Sequence, residues 1–595
     1  MNAKKLLALL LAVVMILATA SACAKPTEDT KSSEAESSSA VESSKTEESS
    51  EAEDEKYPLL NMESDFPVTK EPFELSFVAS YDSAIDVNFE TGQNFWQWME
   101  RESNVKINFR LIANEAWNEQ EAIILAGSDL PDVFFHPLSE TKVYKYGLQQ
   151  GLFIPLNEYL DDKELTPNIN QVFDEKPELK AASILPDGNI YGFGYYMTKY
   201  YETASGLRAQ WIREYAEAAG VDVTAIKTLD DLYDALVAIR DSDYNGNGQA
   251  DEIPFGYYNS TDVVPAWDAL LQYILNAYGM VGISGVYVDT RTDTASYAPL
   301  TEQYKAACEY LAKLYSEKLL DSATFTQTEA EFQAKGASGL MPFGIYYNCY
   351  ADVPADIVTA HQENNYENDI LYSPVPVVDK EGSTPVVNGD YGIGVNRCFI
   401  TNACEHPEVA VRWLDALYSP VGSLYFRNGP EYQSDADIIG NGWEYDTETC
   451  SINASNMVTR SGIDNGWYMW ITVVNFTMGS VAYLGSDENR GLMELHPDAN
   501  SVVSNDWLSP YRENINQYEA LGFPSVVYYT DEQQSFIDTY VTDLQTYVYQ
   551  MTAKFITGAE SFDNWDSFVE GMNSMKASDY NDLINSIYEN YKANA

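Results

Sequence analysis

FELSFVAS (Phe73–Ser80), VKINFRL (Val105–Leu111) and DVFF (Asp132–Phe135) are three runs of strand length, rich in aromatic and aliphatic side chains. Between the first two, Phe95 to Glu102 follows Asn94 and places its apolar residues on one helical face. Between the second and third, Glu119 to Leu125 keeps the helical spacing until Gly127-Ser128-Asp129-Leu130-Pro131 breaks it. Strand, helix, strand, helix, strand with short connections predicts a parallel sheet covered by helices, an α/β fold.

Outward toward the C-terminus, Leu229–Arg240 and Glu302–Leu319 read as amphipathic helices, and Pro407 opens another that runs to Leu417. Asp531–Phe555 is the longest periodic segment; Trp565–Met575 and Tyr580–Tyr591 close the chain as helices. No repeat of solenoid length is present. A chain of 595 residues exceeds one core, so two α/β lobes are expected, with a ligand in the cleft between them.

Outward toward the N-terminus the pattern stops. Residues 1–22 carry Lys4 and Lys5, then an apolar run from Leu6 to Leu17, and read as a secretory signal peptide. Ala20-Ser21-Ala22-Cys23 resembles a bacterial lipobox, in which Cys23 becomes the lipidated first residue. From Ala24 to Lys56 come eleven carboxylates, four Lys and no aromatic residue, so residues 23–56 read as a disordered acidic tether. A tether after a lipidatable Cys implies a body held away from a membrane, a lipid-anchored, extracytoplasmic protein of a Gram-positive type of cell. No later run reaches the roughly 18 apolar residues of a membrane span.

The whole chain sets 35 Lys and Arg against 91 Asp and Glu, a formal charge of −56. The signal and tether together contribute −5, leaving −51 to the body. Such a surface excludes nucleic acid as a partner, since phosphate binding needs clustered cations. Six Cys without a CxxC pair and four scattered His argue against zinc, and Cys398 and Cys404 read as two buried thiols on adjacent elements.

Residues 241–252, DSDYNGNGQADE, alternate short oxygen donors around glycine, the pattern a hard cation such as Ca²⁺ requires. One register uses Asp241, Asp243, Asn245, the carbonyl of Asn247 and Glu252. A tighter one uses Asp243, Asn245, Asn247, the carbonyl of Gln249, Asp251 and Glu252. Pro254 disfavours a helix after the loop, which points to a static structural site rather than a helix-loop-helix switch.

The helix TLDDLYDAL (Thr228–Leu236) running into this loop and on to Phe255 resembles the lipoprotein solute-binding proteins of bacterial ABC sugar importers, among them the alginate-oligosaccharide-binding proteins. LAGSDLPDVF (Leu125–Phe134), LRAQWI (Leu207–Ile212), HPEVAVRWLDALYS (His406–Ser419) and KFITGAESFDNWDSFV (Lys554–Val569) carry the resemblance along the mature chain; Gln210 departs from the family's Asp. The resemblance implies the tighter calcium register and a type II periplasmic-binding-protein fold. It implies residues 57–195 and 387–460 in lobe 1 and residues 196–386 and 461–595 in lobe 2. It also implies a monomer that captures a carbohydrate and delivers it to separate permease subunits.

Sugar sites pair flat aromatic platforms with planar polar groups, and 44 Tyr stand here against 23 Phe. Trp467 and Trp470, three apart beside Gly466, are candidate platforms. So are Trp267 after Pro265, and Tyr195 and Tyr196 near the expected hinge. His136 ends a buried strand, where ligands of parallel sheets sit; Tyr81, Asp390 and Arg208 complete the expected binding set. Trp96, Trp98, Trp413 and Trp565 lie on amphipathic helices and are expected to pack. The rival is a calcium-stabilised glycoside hydrolase with two carboxylates across a sugar. GxSxG, HExxH and Walker GK[ST] motifs are absent from the sequence, and the resemblance favours binding without turnover.

Overall fold

The computed structural model describes residues 56–81, 94–196, 208–249, 251–257, 266–341, 343–346, 371–372, 374–389, 392–432, 442–448, 450–453, 488–499 and 515–594. Residues 1–55, with the expected signal peptide, Cys23 and nearly all of the tether, lie outside them. Strand β1 (Phe73–Tyr81) is buried on both faces through Leu75, Phe77, Val78 and Ala79, as a helix-covered parallel sheet requires. Helix α1 (Asn94–Ser103) leads to β2 (Val105–Ala113), which pairs with β1 in parallel from Phe73 opposite Val105 to Tyr81 opposite Ala113. Helix α2 (Asn114–Ala126) leads to β3 (Val133–Phe134), parallel to β1 on its other side.

Helix α2 is longer than its apolar spacing indicates because the core-facing position 121 holds a carboxylate. Glu121 is neutralised there by Lys142 Nζ at 2.5 Å and accepts from the Trp117 indole at 2.9 Å. Strand β4 (Gly192–Tyr196) forms the far edge of this sheet.

Strand β5 (Arg208–Ile212) comes next. Helix α3 (Leu229–Arg240) starts at a capping box between Thr228 and Asp231. An antiparallel meander follows, β6 (Met280–Ile283), β7 (Val286–Asp289) and β8 (Thr294–Tyr297), then α4 (Glu302–Ser316). Strands β9 (Phe343–Tyr346) and β10 (Leu371–Tyr372) flank β5, both antiparallel. The short β11 (Val387–Asn388) pairs with residues 519–520.

The chain then returns. Strand β12 (Ile393–Ile400) inserts between β3 and β4, antiparallel to both, giving the order β2-β1-β3-β12-β4. The first sheet is therefore mixed where the sequence predicts parallel pairing. An apolar run such as IGVNRCFI is buried on both faces and carries no mark of its direction.

Helix α5 (Pro407–Ala416) lays Trp413 flat against Trp96, rings parallel within 3° at 6.3 Å. Trp96, Trp98, Trp413 and Trp565 are all buried, the packing role expected of them. Helix α6 (Thr542–Thr557) continues a helical segment from Asp531 through a π-helical turn at Ile537–Val541 and ends at Gly558, φ 74°. A helix over Trp565–Ser574 and α7 (Ala577–Asn594) complete the described chain.

Two large cores result. One gathers Phe77, Phe95, Trp96, Phe193, Val395 and Trp413, and takes in Leu492 and Ala499 as well. The other gathers Trp211, Leu236, Phe255, Leu271, Tyr304, Phe343 and Phe555. Helix α5 also carries an ion pair into the first core: Arg412 and Asp415 are 2% and 0% exposed, and Arg412 Nη1 donates to Asp415 Oδ2 at 3.0 Å. Cys308, Cys398 and Cys404 are buried free thiols. No helix among the described residues is long and apolar enough to cross a membrane.

Candidate functional site

Strands β1, β2 and β3 end on the same edge of the first sheet, and because β12 is antiparallel to β3 it begins there. Strand β4, antiparallel to β12, ends there too, with Tyr195 opposite Gly394 and Tyr196 opposite Ile393. Strand carboxyl ends are where open α/β sheets bind ligands, and this edge brings Tyr81, His136, Tyr195 and Tyr196 together.

His136 follows β3 directly. Its ring stacks on the Trp117 indole with centroids 3.8 Å apart at 23°. Its Nδ1 lies 2.8 Å from the Pro137 carbonyl; a carbonyl only accepts, so Nδ1 carries the proton and Nε2 is left as an acceptor. Burial lowers the pKa of this imidazole from 6.5 to about 4, the hydrogen bond to Pro137 opposes the shift, and the charges of Lys142 and Arg397 add to it. Below pH 6.5 the unfolded chain takes up a proton that folded His136 refuses until about pH 4. Stability therefore falls as pH drops through that window, by about 3 kcal/mol in total. His136→Gln should remove most of that slope in denaturation curves taken at several pH values between 4 and 7. An unchanged slope would assign it to other groups.

Tyr195 and Tyr196 point apart, as strand neighbours do. The Arg397 guanidinium lies over the Tyr195 ring, 5.0 Å from its centroid, while Lys176 Nζ lies 4.6 Å from the Tyr196 centroid. Gly394 makes the first arrangement possible, since a Cβ there would collide with the Tyr195 ring. The pairing of β12 with β4 shifts register between Gly394 and Cys398, and Asn396 within that bulge has φ 59°. Asn396 is 2% exposed; its carbonyl oxygen Oδ1 accepts from Tyr528 Oη at 3.1 Å, and its Nδ2 has no partner among the described residues. Beside Tyr528 and Ile393 opens a cavity of about 820 Å³, walled by Ile184, Leu185, Val526 and Tyr591. That size suits an oligosaccharide-sized molecule.

Trp117, Asn396, Arg397 and Tyr528 are absent from the sequence-based set. Nothing local marks them: Trp117 reads as a packing residue of α2, while Asn396 and Arg397 depend on a bulge in a strand from a distant segment, and Tyr528 on its bond to Asn396. Arg208 opens β5 and Trp267 lies in a helix over Ala266–Ala277; the side chains of both, and Asp390, Trp467 and Trp470 entirely, lie outside the described residues.

In the loop after α3, Gly246 and Gly248 take φ 70° and 77°, a left-handed backbone that only glycine adopts without strain. Asp243 Oδ2 accepts from the Gly248 N–H at 3.0 Å, Asn245 Oδ1 from Asn247 N–H at 3.0 Å, and Asn247 Oδ1 from Gln249 N–H at 2.7 Å. Asn247 Nδ2 donates to Asp251 Oδ1 at 3.1 Å. Asp241 is turned away, held by Arg240 at 2.8 and 3.0 Å. The exit is extended rather than helical, with Ile253 N–H donating to Leu340 O at 2.9 Å. Glu252 is 9% exposed, and neither of its carboxylate oxygens has a hydrogen-bond partner among the described residues. Among those residues no three His, Cys, Asp or Glu side chains converge on a metal position. The loop's donors are instead a mixture of carboxylate, amide and main-chain oxygens, a set that suits a hard cation. The orphaned Glu252 carboxylate lacks only a positive charge.

Comparison with known proteins gives matches along most of the chain. The family model described as "Bacterial extracellular solute-binding protein" matches residues 80–423. The fructooligosaccharide ABC transporter substrate-binding protein FusA of Streptococcus pneumoniae is 24% identical over 511 residues, covering 84% of this chain and 87% of that protein. The structure of FusA with kestose superposes with a TM-score of 0.63 at 20% identity, covering 88% of this chain and 100% of that one. An EF-hand mutant of FusA with fructo-nystose gives 0.61 at 20%, with the same coverage. A solute-binding protein from Bifidobacterium longum infantis described as HMO binding gives 0.66 at 19%, over 88% and 99%. Alginate-binding protein AlgQ2 without calcium ion gives 0.56 at 18%, over 88% and 99%. These likenesses show the two-lobed α/β fold of solute-binding proteins.

Proposed function

The chain belongs to the family of bacterial extracellular solute-binding proteins, and from that premise we propose that it is a lipid-anchored receptor that captures an oligosaccharide and delivers it to an ABC-transporter permease. The observation that carries the reading is the edge of the first sheet, where the ends of β1, β3 and β4 bring Tyr81, His136 and Tyr195 to one side and Ile393, at the start of β12, lines a roomy cavity. Rings with polar tips suit a wet cleft that must meet both the C–H faces and the hydroxyls of a sugar. Names of relatives that mention kestose, fructo-nystose and fructooligosaccharide support a carbohydrate.

Lobe 1 takes residues 57–195 and 387–460, and the packing of Leu492 and Ala499 adds the helix over Glu488–Leu495 to it. Lobe 2 takes residues 196–386 and the remainder of 461–595. Closure of the lobes buries the sugar between aromatic planes, and specificity comes from contacts made only in the closed form. Trp467, Trp470 and Trp267 would supply further platforms, with Tyr196, Asp390 and Arg208 at the margin. The loop after α3 would hold Ca²⁺ through Asp243, Asn245, Asn247, the Gln249 carbonyl, Asp251 and Glu252. The engagement of Asp241 by Arg240 and the orphaned Glu252 favour this register. Cys23 and the acidic tether would fix the receptor to the outer face of a Gram-positive membrane. Turnover is not part of the reading, since relatives are named as substrate-binding proteins.

A thermal-shift screen of the mature chain in excess calcium, with neutral and acidic oligosaccharides and an assay for sugar release on the same samples, tests this. A saturable rise in melting temperature with the sugar recovered intact is expected. Release of shorter sugars would make the protein a glycoside hydrolase.

A further inference from the structure

We propose that Arg397 is a specificity-determining ligand residue of this cleft, its planar guanidinium donating to two adjacent oxygen atoms of the bound glycan. The proposal rests on the receptor reading above and names the chemistry of its polar anchor.

The first observation is an omission. In a chain with 91 carboxylates and 35 Lys and Arg, a cation finds a carboxylate easily. Arg101, Arg213, Arg240, Arg291, Arg412 and Arg490 each do, at 4.0 Å or less. Arg397 has no ion pair among the described residues, and its buried Nε has no acceptor among them. A buried donor left unmade costs free energy comparable to a lost hydrogen bond. Among the described residues its guanidinium therefore lacks both a carboxylate and an acceptor for Nε, which leaves the half-buried Nη groups as the donors a ligand at this edge would meet.

The second observation is that the guanidinium is held in place. It lies over the Tyr195 ring, 5.0 Å from its centroid, a contact that needs the missing Cβ of Gly394. The bulge between Gly394 and Cys398 sets the strand so that Asn396 is buried while Arg397 remains half-buried. With the ring occupying its face, the edge of the guanidinium is left for hydrogen bonding. An Arg edge offers two parallel N–H donors, matched by two adjacent oxygens.

The third observation is location. Arg397 sits midway along β12, two residues before Phe399, which pairs with the last residue of β3, and close enough for its charge to act on His136. Lys142, the other cation acting on His136, is compensated by Glu121 at 2.5 Å. Arg397 thus brings a charge with no ion pair among the described residues to this edge, near a neutral imidazole that presents an acceptor. A donor pair beside an acceptor suits either vicinal hydroxyls of a neutral sugar or the carboxylate of an acidic one.

The test is titration calorimetry of the full mature chain, wild type against Arg397→Gln and Arg397→Lys, with neutral fructooligosaccharides and with uronate-containing oligosaccharides, at about 50 and 300 mM salt. Both variants should lose at least about tenfold in affinity for whichever glycan the wild type binds, with the ligand-free melting temperature unchanged because no ion pair is lost. Wild-type affinity that falls with salt would identify the carboxylate as the source of the oxygens; affinity independent of salt would identify the hydroxyls. Affinity within twofold of wild type in both variants would overturn the proposal, and so would full rescue by Lys, which keeps charge but not the fork. A wild type that binds none of these glycans would instead defeat the receptor reading on which the proposal stands.

Discussion

In calcium, Glu252→Gln should melt well below the wild type, and in chelator it should melt at or above it. The reversal follows from the buried carboxylate. With a cation in the loop, Glu252 supplies a charge-matched ligand, and a site filled to about a thousand times its dissociation constant stabilises the folded chain by about 4 kcal/mol. With calcium withdrawn, the wild type keeps an ionisable group 9% exposed, with no partner for either oxygen among the described residues. Such burial is costly, and a neutral amide of the same shape relieves most of it. Asp243→Ala should show only the first half of the effect, since Asp243 is exposed and bonded to Gly248. Differential scanning calorimetry of the three proteins in calcium and in chelator decides the matter. Identical melting in calcium for wild type and Glu252→Gln would remove the cation from the loop.

Asp415→Ala should destabilise the first lobe by about 3–5 kcal/mol, the cost of leaving one member of a buried ion pair alone. The carboxylate serves two structures at once. It pairs with Arg412 at 3.0 Å, and it accepts from the main-chain N–H groups of Asn168 and Ile169 at 3.3 and 2.8 Å. Those are unsatisfied first-turn donors of the helix over Pro167–Glu175, whose own preceding residue, Thr166, provides no side-chain cap. Arg412 in turn donates to Leu165 O, Ser64 O and Asp65 Oδ1 at 3.2, 3.0 and 3.3 Å. Its isolation therefore reaches the N-terminal segment too. Urea unfolding followed by tryptophan fluorescence should show an earlier first transition, because Trp96, Trp98 and Trp413 report on this core. The double variant Arg412→Met/Asp415→Leu should recover much of the loss, as apolar replacement of a buried pair commonly does. A single variant as stable as the wild type would show the pair to be dispensable.

What the sequence made legible is what depends on near neighbours. The Leu229–Arg240 helix is found with its predicted ends, because the spacing of its leucines and the Thr228 cap lie within a dozen residues. The loop after it is readable for the same reason, since oxygen donors and glycines must alternate in a fixed short register. The direction of β12 was not legible, because IGVNRCFI is buried on both faces. Arg397 was missed with it: its significance depends on which strand lies beside Gly394, and Tyr195 comes from a different segment. Asp415 is likewise silent in sequence, a carboxylate on the buried face of α5 whose partners outside that helix are Asn168 and Ile169. Of the expected aromatic platforms, Tyr195 and Tyr196 both reach the sheet edge but face opposite ways; Trp467 and Trp470 lie outside the described residues.

The path of β12 bears on the order in which this protein can become itself. Strands β1 to β4 are complete by Tyr196, yet β3 and β4 are joined only by a strand that begins at Ile393. As the chain leaves the ribosome, the whole stretch from β5 to β11 emerges before the piece that joins them. The first sheet is thus the last to be completed although it is the first to be begun, and every pairing through β12 spans a long loop, the kind of topology that slows folding. Any fragment cut before Ile393 carries two unpaired strand edges. Neighbours in the sheet are thus far apart in the order of synthesis.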